Sequence, residues 1–312
     1  MGSSRPFAFG VQLTGAPDRA AWLAAARRAE ALGYGTISLP DHFGDQFAPF
    51  AALGAVAAVT ERVRLSMGVL ANDFRHPVVV AKEAATLDVV SDGRLTLGLG
   101  AGWMREEYDA AGIPFDPPGD RIERLGEAIR IVRALFAGEP VDHAGRWYRV
   151  HGIVGTPRPV QRPSPPILVG GGGQRMLGLA AREADVVSVV TANANRRAGA
   201  GLGRDATLDR TRVKVEWVRD AAGDRFPDLV LNTRVSIVAI APDARDVVAR
   251  VAPAHDLTPD ELLASPHVLA GTRDEVVERL EQLRDELGFS SFTVSQGAME
   301  DLAPVVEALT GR

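Results

Sequence analysis

The sequence predicts an α/β protein with the (β/α)8 fold, a TIM barrel, that carries one β-hairpin insertion. Two observations support this prediction: strand and helix patterns alternate along the whole chain, and eight such units can be counted. This alternation is typical of a parallel sheet, and eight units suit a closed barrel better than an open sheet. No stretch has the character of a linker, so we expect one domain over residues 1–312.

The N-terminal half supplies four strand–helix pairs. Two of the predicted helices have clear end signals: Asp18 stands at the start of the first and Gly33 follows its end, while Pro77 suits the first position of the third. The predicted strands cover residues 7–13, 36–39, 63–70 and 95–99, and the predicted helices cover residues 18–32, 50–60, 77–90 and 121–136.

The alternation is then interrupted before it resumes in the C-terminal half. Residues 139–155 place apolar and aromatic residues around Gly145, which predicts a β-hairpin. Residues 156–166 contain five prolines and predict an extended connector. The remaining strands are predicted at 167–169, 186–190, 229–240 and 291–294, the helices at 174–184, 207–222, 244–251, 259–264, 272–287 and 299–309, and a polar loop at 193–203.

Composition excludes several classes of function. The chain has 312 residues, a formal net charge of −5 and no cysteine, so disulfides, thiolate metal sites and cysteine catalysis are excluded. The net negative charge gives no electrostatic basis for binding nucleic acid or an anionic membrane. No apolar stretch reaches the roughly 18 residues of a membrane helix, and no secretory signal pattern begins the chain. We therefore expect a cytoplasmic protein that acts on a small-molecule substrate.

Asp41-His42 directly follows the second predicted strand, at the end of the barrel where this fold places its catalytic residues. Histidine titrates near neutral pH, so the pair suits hydrogen bonding or acid–base chemistry beside a ligand. A loop histidine that caps a backbone group would explain the same pattern. The spacing leaves both interpretations open, and the six histidines show no spacing typical of a metal site.

Glycines follow two other predicted strands. Residues 170–173 are all glycine and lead into a helix, whose N-terminal amides and dipole form a natural phosphate site. Arg158 and Arg175 are close enough in sequence to add positive charge there, although a flexible turn is the alternative. The run Gly-Ala-Gly at 100–102 lets either a flat ligand or a packed helix approach the backbone closely.

Several segments together resemble one known family. They begin at the second predicted strand, and the similarity covers most of residues 7–190. The segments are Leu39-Pro40-Asp41-His42, Ala51-Ala52-Leu53, Thr60-Glu61-Arg62-Val63-Arg64-Leu65, Arg75-His76-Pro77, Ala84-Ala85-Thr86-Leu87-Asp88, Ser91-Asp92-Gly93-Arg94, Leu97-Gly98-Leu99-Gly100-Ala101-Gly102-Trp103 and Pro163-Ser164-Pro165-Pro166-Ile167-Leu168-Val169-Gly170-Gly171. On these segments the chain resembles the luciferase-like monooxygenase superfamily, and within it the branch that depends on coenzyme F420.

The resemblance implies a flavin-like ring at the carboxyl ends of the strands, backed by a cis peptide bond at Gly68–Val69. It also implies a cofactor phosphate on the amides of the glycine run, with His42 as proton donor or ring orienter. The implied cofactor-binding residues are Asp41, His42, Gly68, Val69, Gly100, Ala101, Gly170, Gly171, Gly172, Gly173 and Arg175. The implied substrate pocket is formed by Thr14, Phe43, Phe74 and Trp103, together with the loop 193–203.

Two positions depart from the pattern of the sugar-phosphate dehydrogenases in this branch. Trp103 stands where those enzymes have a glutamate acid, and residues 44–46 stand where a tryptophan follows their Asp-His motif. We therefore do not expect a sugar-phosphate substrate. Glu106 and Glu107 lie one helical turn beyond Trp103, and we expect Glu106 to supply a catalytic carboxylate; pairing on the helix surface is the alternative.

The favoured interpretation is an enzyme that transfers a hydride between coenzyme F420 and a small organic substrate, with the cofactor supplying the redox chemistry. The alternative is an FMN-dependent monooxygenase that uses O2 and a partner reductase. A protein that only binds or stores the cofactor is a third possibility, which the eight complete units disfavour. Members of the family are commonly dimers, so we expect a homodimer built on helices 50–60 and 77–90.

Overall fold

The computed structural model describes residues 5–192 and 201–312, and a parallel barrel lies at its centre. The strands are β1 (Ala8–Gln12), β2 (Thr36–Leu39), β3 (Arg64–Met67), β4 (Leu70–Ala71), β5 (Leu95–Gly100), β6 (Pro140–Ala144), β7 (Arg149–Val154), β8 (Ile167–Gly171), β9 (Val186–Val189), β10 (Val230–Arg234), β11 (Ile237–Ile240), β12 (Val268–Gly271) and β13 (Phe289–Ser295). Eight of them follow one another around the barrel as β1, β2, β3, β5, β8, β9, β10 and β13, and β13 pairs with β1 to close it. The predicted TIM barrel is confirmed.

Helices surround the barrel. They are α1 (Arg19–Ala31), α2 (Pro49–Ala57), α3 (Pro77–Val90), α4 (Arg105–Ala111), α5 (Pro118–Ala137), α6 (Gln174–Glu183), α7 (Leu208–Ala222), α8 (Ala244–Val251), α9 (Pro259–Ala264), α10 (Arg273–Leu287) and α11 (Met299–Leu309). The main core lies between the helices and the outward faces of the strands, where Val11, Ile37 and Leu65 are fully buried. The short helix α4 was not predicted, because seven residues are too few for a clear amphipathic period.

End signals explain where several helices begin. The Asp18 side chain accepts a hydrogen bond of 2.8 Å from the Ala21 N–H and so caps α1, as the sequence predicts. Thr272 and Glu275 form a reciprocal capping box at the start of α10. These contacts satisfy backbone donors that the first turn of a helix leaves without partners.

The predicted hairpin insertion is present. Strands β6 and β7 pair antiparallel between α5 and the proline-rich connector that leads to β8. Glu127 of α5 fixes the turn of the hairpin, because its carboxylate accepts hydrogen bonds from the Arg146, Trp147 and Tyr148 N–H groups at 2.9, 3.1 and 3.2 Å.

The prediction of one long strand over 229–240 was wrong. The segment divides after Arg234: β10 stays in the barrel, whereas β11 leaves it and pairs in parallel with β12, which was not predicted. The break is visible in the hydrogen bonds, since the Val235 N–H still donates to β13 but the Ser236 N–H donates to the His267 carbonyl oxygen at 2.8 Å. The apolar pattern continues across the break, so the sequence does not reveal it.

The segment predicted as a strand at 63–70 is interrupted by a cis peptide bond at Gly68–Val69, as expected from the family resemblance. Glycines in the neighbouring strand β5 make room for this interruption. A Cβ atom at Gly98 would overlap the Met67 carbonyl oxygen, and one at Gly100 would lie 2.6 Å from a methyl carbon of Val69. Larger residues at 98 or 100 would therefore displace the segment that lines the centre of the barrel.

Lys214 of α7 joins the segments that flank residues 193–200. Its side chain is fully buried, and its ammonium donates to the Val190 carbonyl oxygen at 3.0 Å and to the Asp205 carboxylate at 2.6 Å. The same carboxylate accepts from the Ala192 N–H at 2.6 Å. Burial raises the pKa of Asp205, but the hydrogen bonds from Lys214 and Ala192 outweigh it and the net pKa is lowered.

We predict that Lys214→Met lowers the free energy of unfolding by about 3 kcal/mol at neutral pH, because the Asp205 carboxylate loses its buried partner. Because the pKa of Asp205 is lower in the folded than in the unfolded protein, its ionised carboxylate stabilises the fold above about pH 4. This contribution is lost as the pH falls through the folded-state pKa. The difference between wild type and variant should therefore shrink in acid. Urea unfolding at pH 7 and at pH 3.5 measures both effects.

Lys82→Met is the matched control, because Lys82 is exposed and its ammonium donates only to the Thr156 carbonyl oxygen among the described residues. We expect a change within about 0.5 kcal/mol for the control. Equal effects of the two substitutions would contradict the role assigned to Lys214.

Candidate active site

A cavity of about 1380 Å³ lies at the carboxyl ends of the barrel strands and continues down the barrel axis. Its lining extends from His42 and Trp103 at that end to Ala8 and Thr36 at the opposite end. TIM barrels usually fill their interior with bulky branched side chains. Here small or polar residues point inward and leave space: Gly10, Gln12, Ser38, Ser66, Thr96, Ser188, Asn232, Ser291 and Thr293.

Asp41 lies at the end of β2, where it lines the cavity and is almost fully buried. Its carboxylate accepts two hydrogen bonds from the Arg75 guanidinium, at 2.6 and 2.9 Å, and one from the Ala71 N–H at 3.1 Å. Bidentate pairs of this kind are strong and directional. Asp41 therefore holds the residues that follow Gly68–Val69 in place, and its own charge is balanced by Arg75.

His42 also lines the cavity, and Glu107 orients it. The Nδ1 atom of His42 lies 2.9 Å from one carboxylate oxygen of Glu107, and the other oxygen accepts from the Phe43 N–H at 3.0 Å. Because an ionised carboxylate only accepts, Nδ1 is the donor in this contact and Nε2 is the ring nitrogen left for a ligand. The ring of Trp103 meets the imidazole edge-on, with 5.9 Å between centroids.

The structure corrects the position expected of Glu106. Glu106 is exposed on α4 and does not line the cavity, whereas Glu107 lines it and contacts His42. Successive residues of a helix point about 100° apart, so a shift of one position moves the carboxylate from the solvent to the site. The sequence places both residues one turn beyond Trp103, and without a predicted helix its spacing does not separate them.

All four glycines at 170–173 line the cavity at the end of β8 and the start of α6. A Cβ atom at Gly172 would overlap the backbone of residues 190–192, and one at Gly171 would overlap Met176. Gly170 and Gly173 are different, because a Cβ at Gly170 would come no closer than 3.7 Å to another atom and one at Gly173 would meet nothing within 4 Å. The wall at this point is bare backbone.

Of the two arginines expected beside the glycine run 170–173, only one lies at the cavity. Arg175 lines the cavity and its guanidinium pairs with Glu123 at 2.6 Å. Arg158 does not line it; its guanidinium donates to the Gly138 carbonyl oxygen at 2.9 Å, at the end of α5. Only Arg175 of this pair is therefore placed to meet a ligand.

The expected substrate pocket is corrected at two positions. Trp103 and Phe74 line the cavity, but Thr14 and Phe43 do not. Thr14 is exposed, and Phe43 is 56% exposed and stacks on the outer side of Phe74 with 4.4 Å between ring centroids. Most of the loop expected at 193–203 lies outside the described residues; of its described part, Leu202 lines the cavity.

Arg121 of α5 is a site residue that the sequence did not reveal. It is buried and lines the cavity, and its guanidinium donates to the Ala101 carbonyl oxygen at 3.0 Å and to that of Gly102. Burial lowers its pKa, and the guanidinium also lies 4.0 Å from the ring centre of Phe115. Arg121 thus fixes the turn after β5, although it lies 19 residues from Gly102 in the sequence.

Within residues 5–192 and 201–312, no group of three or more histidine, cysteine, aspartate or glutamate side chains could hold a metal ion. No helix in the same residues combines the length and the apolar character needed to span a membrane.

Comparisons with known proteins find relatives in sequence and in fold. The family model described as luciferase-like monooxygenase matches residues 1–202. An uncharacterised protein of Mycobacterium tuberculosis is 37% identical over 153 residues, which is 48% of this chain and about half, 53%, of that relative. An F420-dependent glucose-6-phosphate dehydrogenase of Intrasporangium calvum is 31% identical over 292 residues, or 86% of each chain.

A solved structure extends the similarity to the whole barrel. The coenzyme F420 dependent tetrahydromethanopterin reductase of Methanopyrus kandleri superposes with a TM-score of 0.76 and 20% identity, covering 98% of this chain and 100% of that one. At this identity the likeness shows a shared fold. The match of the family model to residues 1–202, which is more than half of the chain, shows that the chain belongs to the luciferase-like monooxygenase family.

Proposed function

We propose that this protein is a coenzyme F420-dependent oxidoreductase that transfers a hydride between the deazaflavin and a small organic substrate. One observation carries the proposal: the cavity joins the bare backbone at 170–173, the Gly68–Val69 segment and the His42–Glu107 pair. The similarity to a relative named as F420-dependent, over 86% of the chain, supports the choice of cofactor.

The residues present fit such a cofactor. Because Gly170 and Gly173 have no side chains, the space in front of their backbone is open. A ligand can therefore reach the backbone amides. The Ser38 hydroxyl, which lines the cavity next to Gly68, is buried and has no hydrogen-bond partner among the described residues. A polar atom left without a partner in this position suits contact with the polar edge of a bound ring.

In this proposal, Gly68, Val69, Gly100 and Ala101 would form the surface that receives the flat part of the cofactor, and the amides of Gly171 to Gly173 with Arg175 would hold its phosphate. When bound, the deazaflavin supplies two-electron hydride chemistry. The protein supplies position and charge: Asp41 and Arg75 fix the segment after Val69, and Arg121 fixes the turn after β5.

His42 handles the proton that accompanies hydride transfer. Its Nδ1 atom is held by Glu107, so the proton is exchanged with substrate through Nε2. The negative charge of Glu107 balances the positive charge of the imidazolium form. The carboxylate role expected of Glu106 thus passes to Glu107, which acts as a positioning residue through His42.

The substrate side of the cavity is mainly apolar, with Phe74, Trp103 and Met104 among its lining residues. Trp103 stands where a glutamate acid is expected in the sugar-phosphate dehydrogenases of this branch. We therefore propose a substrate other than a sugar phosphate, even though one relative is named as a glucose-6-phosphate dehydrogenase.

Fluorescence titration with F420 and, separately, with FMN tests the cofactor. We expect micromolar or tighter binding of F420 and at least about 10-fold weaker binding of FMN, a difference of about 1.4 kcal/mol. Gly173→Val should weaken F420 binding by about 10-fold or more, because its side chain would fill the space in front of the amides.

Gly297→Val is the matched control, since a Cβ at Gly297 also meets nothing within 4 Å but the residue does not line the cavity. Tighter binding of FMN than of F420 would contradict the proposal and favour the oxygen-dependent monooxygenase. Unchanged F420 affinity in Gly173→Val would contradict the phosphate site.

We also infer a homodimer formed by the outer faces of α2 and α3. The exposed stripe of α3 carries Val79 and Val90, which are 49% and 60% exposed, and α2 presents small residues such as Ala51 and Ala55. Small residues let helices approach closely, and exposed apolar groups favour a covering partner.

Light scattering should therefore give the mass of two chains. Val90→Glu should shift the equilibrium towards the monomer, because it would bury an unpaired carboxylate. Val213→Glu on α7, which is 41% exposed, serves as the control and should remain dimeric. A monomeric wild type, or a dimer that Val90→Glu leaves intact, would contradict this interface.

A further inference from the structure

Arg234 is the last residue of β10 and lines the cavity at the carboxyl end of the barrel. Side chains of a strand alternate between its two faces, and here Asn232, Arg234 and Ser236 all line the cavity. The intervening Thr233 and Val235 are buried on the other face. The side chain of Arg234 is exposed, and it lines the cavity at the carboxyl end of the barrel.

This guanidinium has no acceptor among the residues that the structure describes. No hydrogen bond or ion pair of its side chain occurs within 5–192 and 201–312. Although the side chain is exposed to the cavity, desolvation by the surrounding protein lowers the pKa of the guanidinium, with no opposing contribution from a neighbour. The other arginines of the cavity do have acceptors: Arg64 donates to the Leu95 carbonyl oxygen, Arg121 to that of Ala101 and Arg175 to the Glu123 carboxylate.

The carboxylates of the cavity do not balance this charge. Asp41 is paired with Arg75, and Glu107 is bonded to His42. Asp185 and Asp228 also line the cavity but lie at the amino ends of β9 and β10. At about 3.3 Å per residue, the six residues from Asp228 to Arg234 span about 20 Å, which is too far for an ion pair.

The backbone around Arg234 is held firmly on both sides. The Val235 N–H donates to the Thr293 carbonyl oxygen at 2.8 Å, and Nδ1 of His267 lies 3.0 Å from the Arg234 carbonyl oxygen. The backbone thus fixes where the side chain begins, and the guanidinium, which has no partner among the described residues, is available to a ligand. The charge suits an anion, since Arg remains protonated and its planar fork matches a carboxylate.

We propose that Arg234 is a specificity-determining residue that binds a carboxylate of the substrate, so that the enzyme acts on small organic acids. This inference rests on the function proposed above. In the eight-stranded ring, β10 lies four places from β3, on the opposite side of the cavity from Gly68–Val69. The glycine run lies on β8 beside Arg175, two places from β10, which assigns Arg234 to the substrate and not to the cofactor phosphate.

Pairs of electrophiles, each an α,β-unsaturated acid and its methyl ester, test this inference with reduced F420 as the hydride donor. We expect the wild type to favour acids over esters in kcat/KM by about 10- to 100-fold, as for one charge-assisted hydrogen bond. Arg234→Gln should lose that preference with ester turnover unchanged, and Arg234→Lys should retain part of it. Arg250→Gln, exposed on α8, is the control and should retain all of it.

The F420 affinity of each variant separates the possible outcomes. Unchanged F420 binding with a lost acid preference supports the inference. A wild type that reduces acids and esters equally well overturns it and leaves the proposed function intact. Weaker F420 binding in Arg234→Gln with the acid preference kept also overturns it, because the guanidinium then serves the cofactor. A wild type that neither binds nor oxidises reduced F420 overturns the proposed function, and this inference with it.

Discussion

The site depends on the contact between Glu107 and the loop that follows β2. One carboxylate binds both the imidazole of His42 and the Phe43 N–H, and so joins the end of the second barrel strand to a short helix that follows the fourth. Asp41 makes the equivalent connection to the end of the third strand through Ala71 and Arg75. Asp41 and His42, which are adjacent in one loop, are thus each held by a different neighbouring strand–helix unit. These contacts fix the orientation of the His42 ring.

The rest of the cavity follows from small residues in the barrel interior. Glycines at 98 and 100 leave room for the interrupted third strand, and glycines at 170 and 173 leave the wall open at the end of the neighbouring strand β8. Several of the charged groups that line this space are bonded to other protein groups: Glu107 to His42, Asp41 to Arg75 and Arg121 to a backbone carbonyl oxygen. The proposed chemistry rests on Nε2 of His42, and the proposed specificity rests on the guanidinium of Arg234, which has no acceptor among the described residues.

The sequence predicted the barrel and the hairpin, because alternation and turn residues are local signals. The family resemblance implied the cis peptide bond at Gly68–Val69, although the strand over 63–70 was expected to be continuous. The sequence did not predict the break after Arg234, since the apolar run continues through residues that change partners from β13 to β12. The sequence analysis assigned the catalytic carboxylate to Glu106 and not to Glu107. The direction of a side chain on a short helix depends on where that helix begins, and this start was not predicted. Arg121 and Arg234 are isolated arginines, and only the closed barrel brings them to the site.

The most direct test of the account is the single-turnover oxidation of reduced F420 under nitrogen, with the electrophile that the wild type reduces fastest from a panel of enones, imines and quinones. Glu107→Gln should slow this step by about 100-fold while F420 affinity stays the same, because His42 loses the carboxylate that orients and balances it. Glu106→Gln, one residue away and exposed, should react like the wild type. Equal rates for Glu107→Gln and Glu106→Gln would contradict the central role of the His42–Glu107 pair.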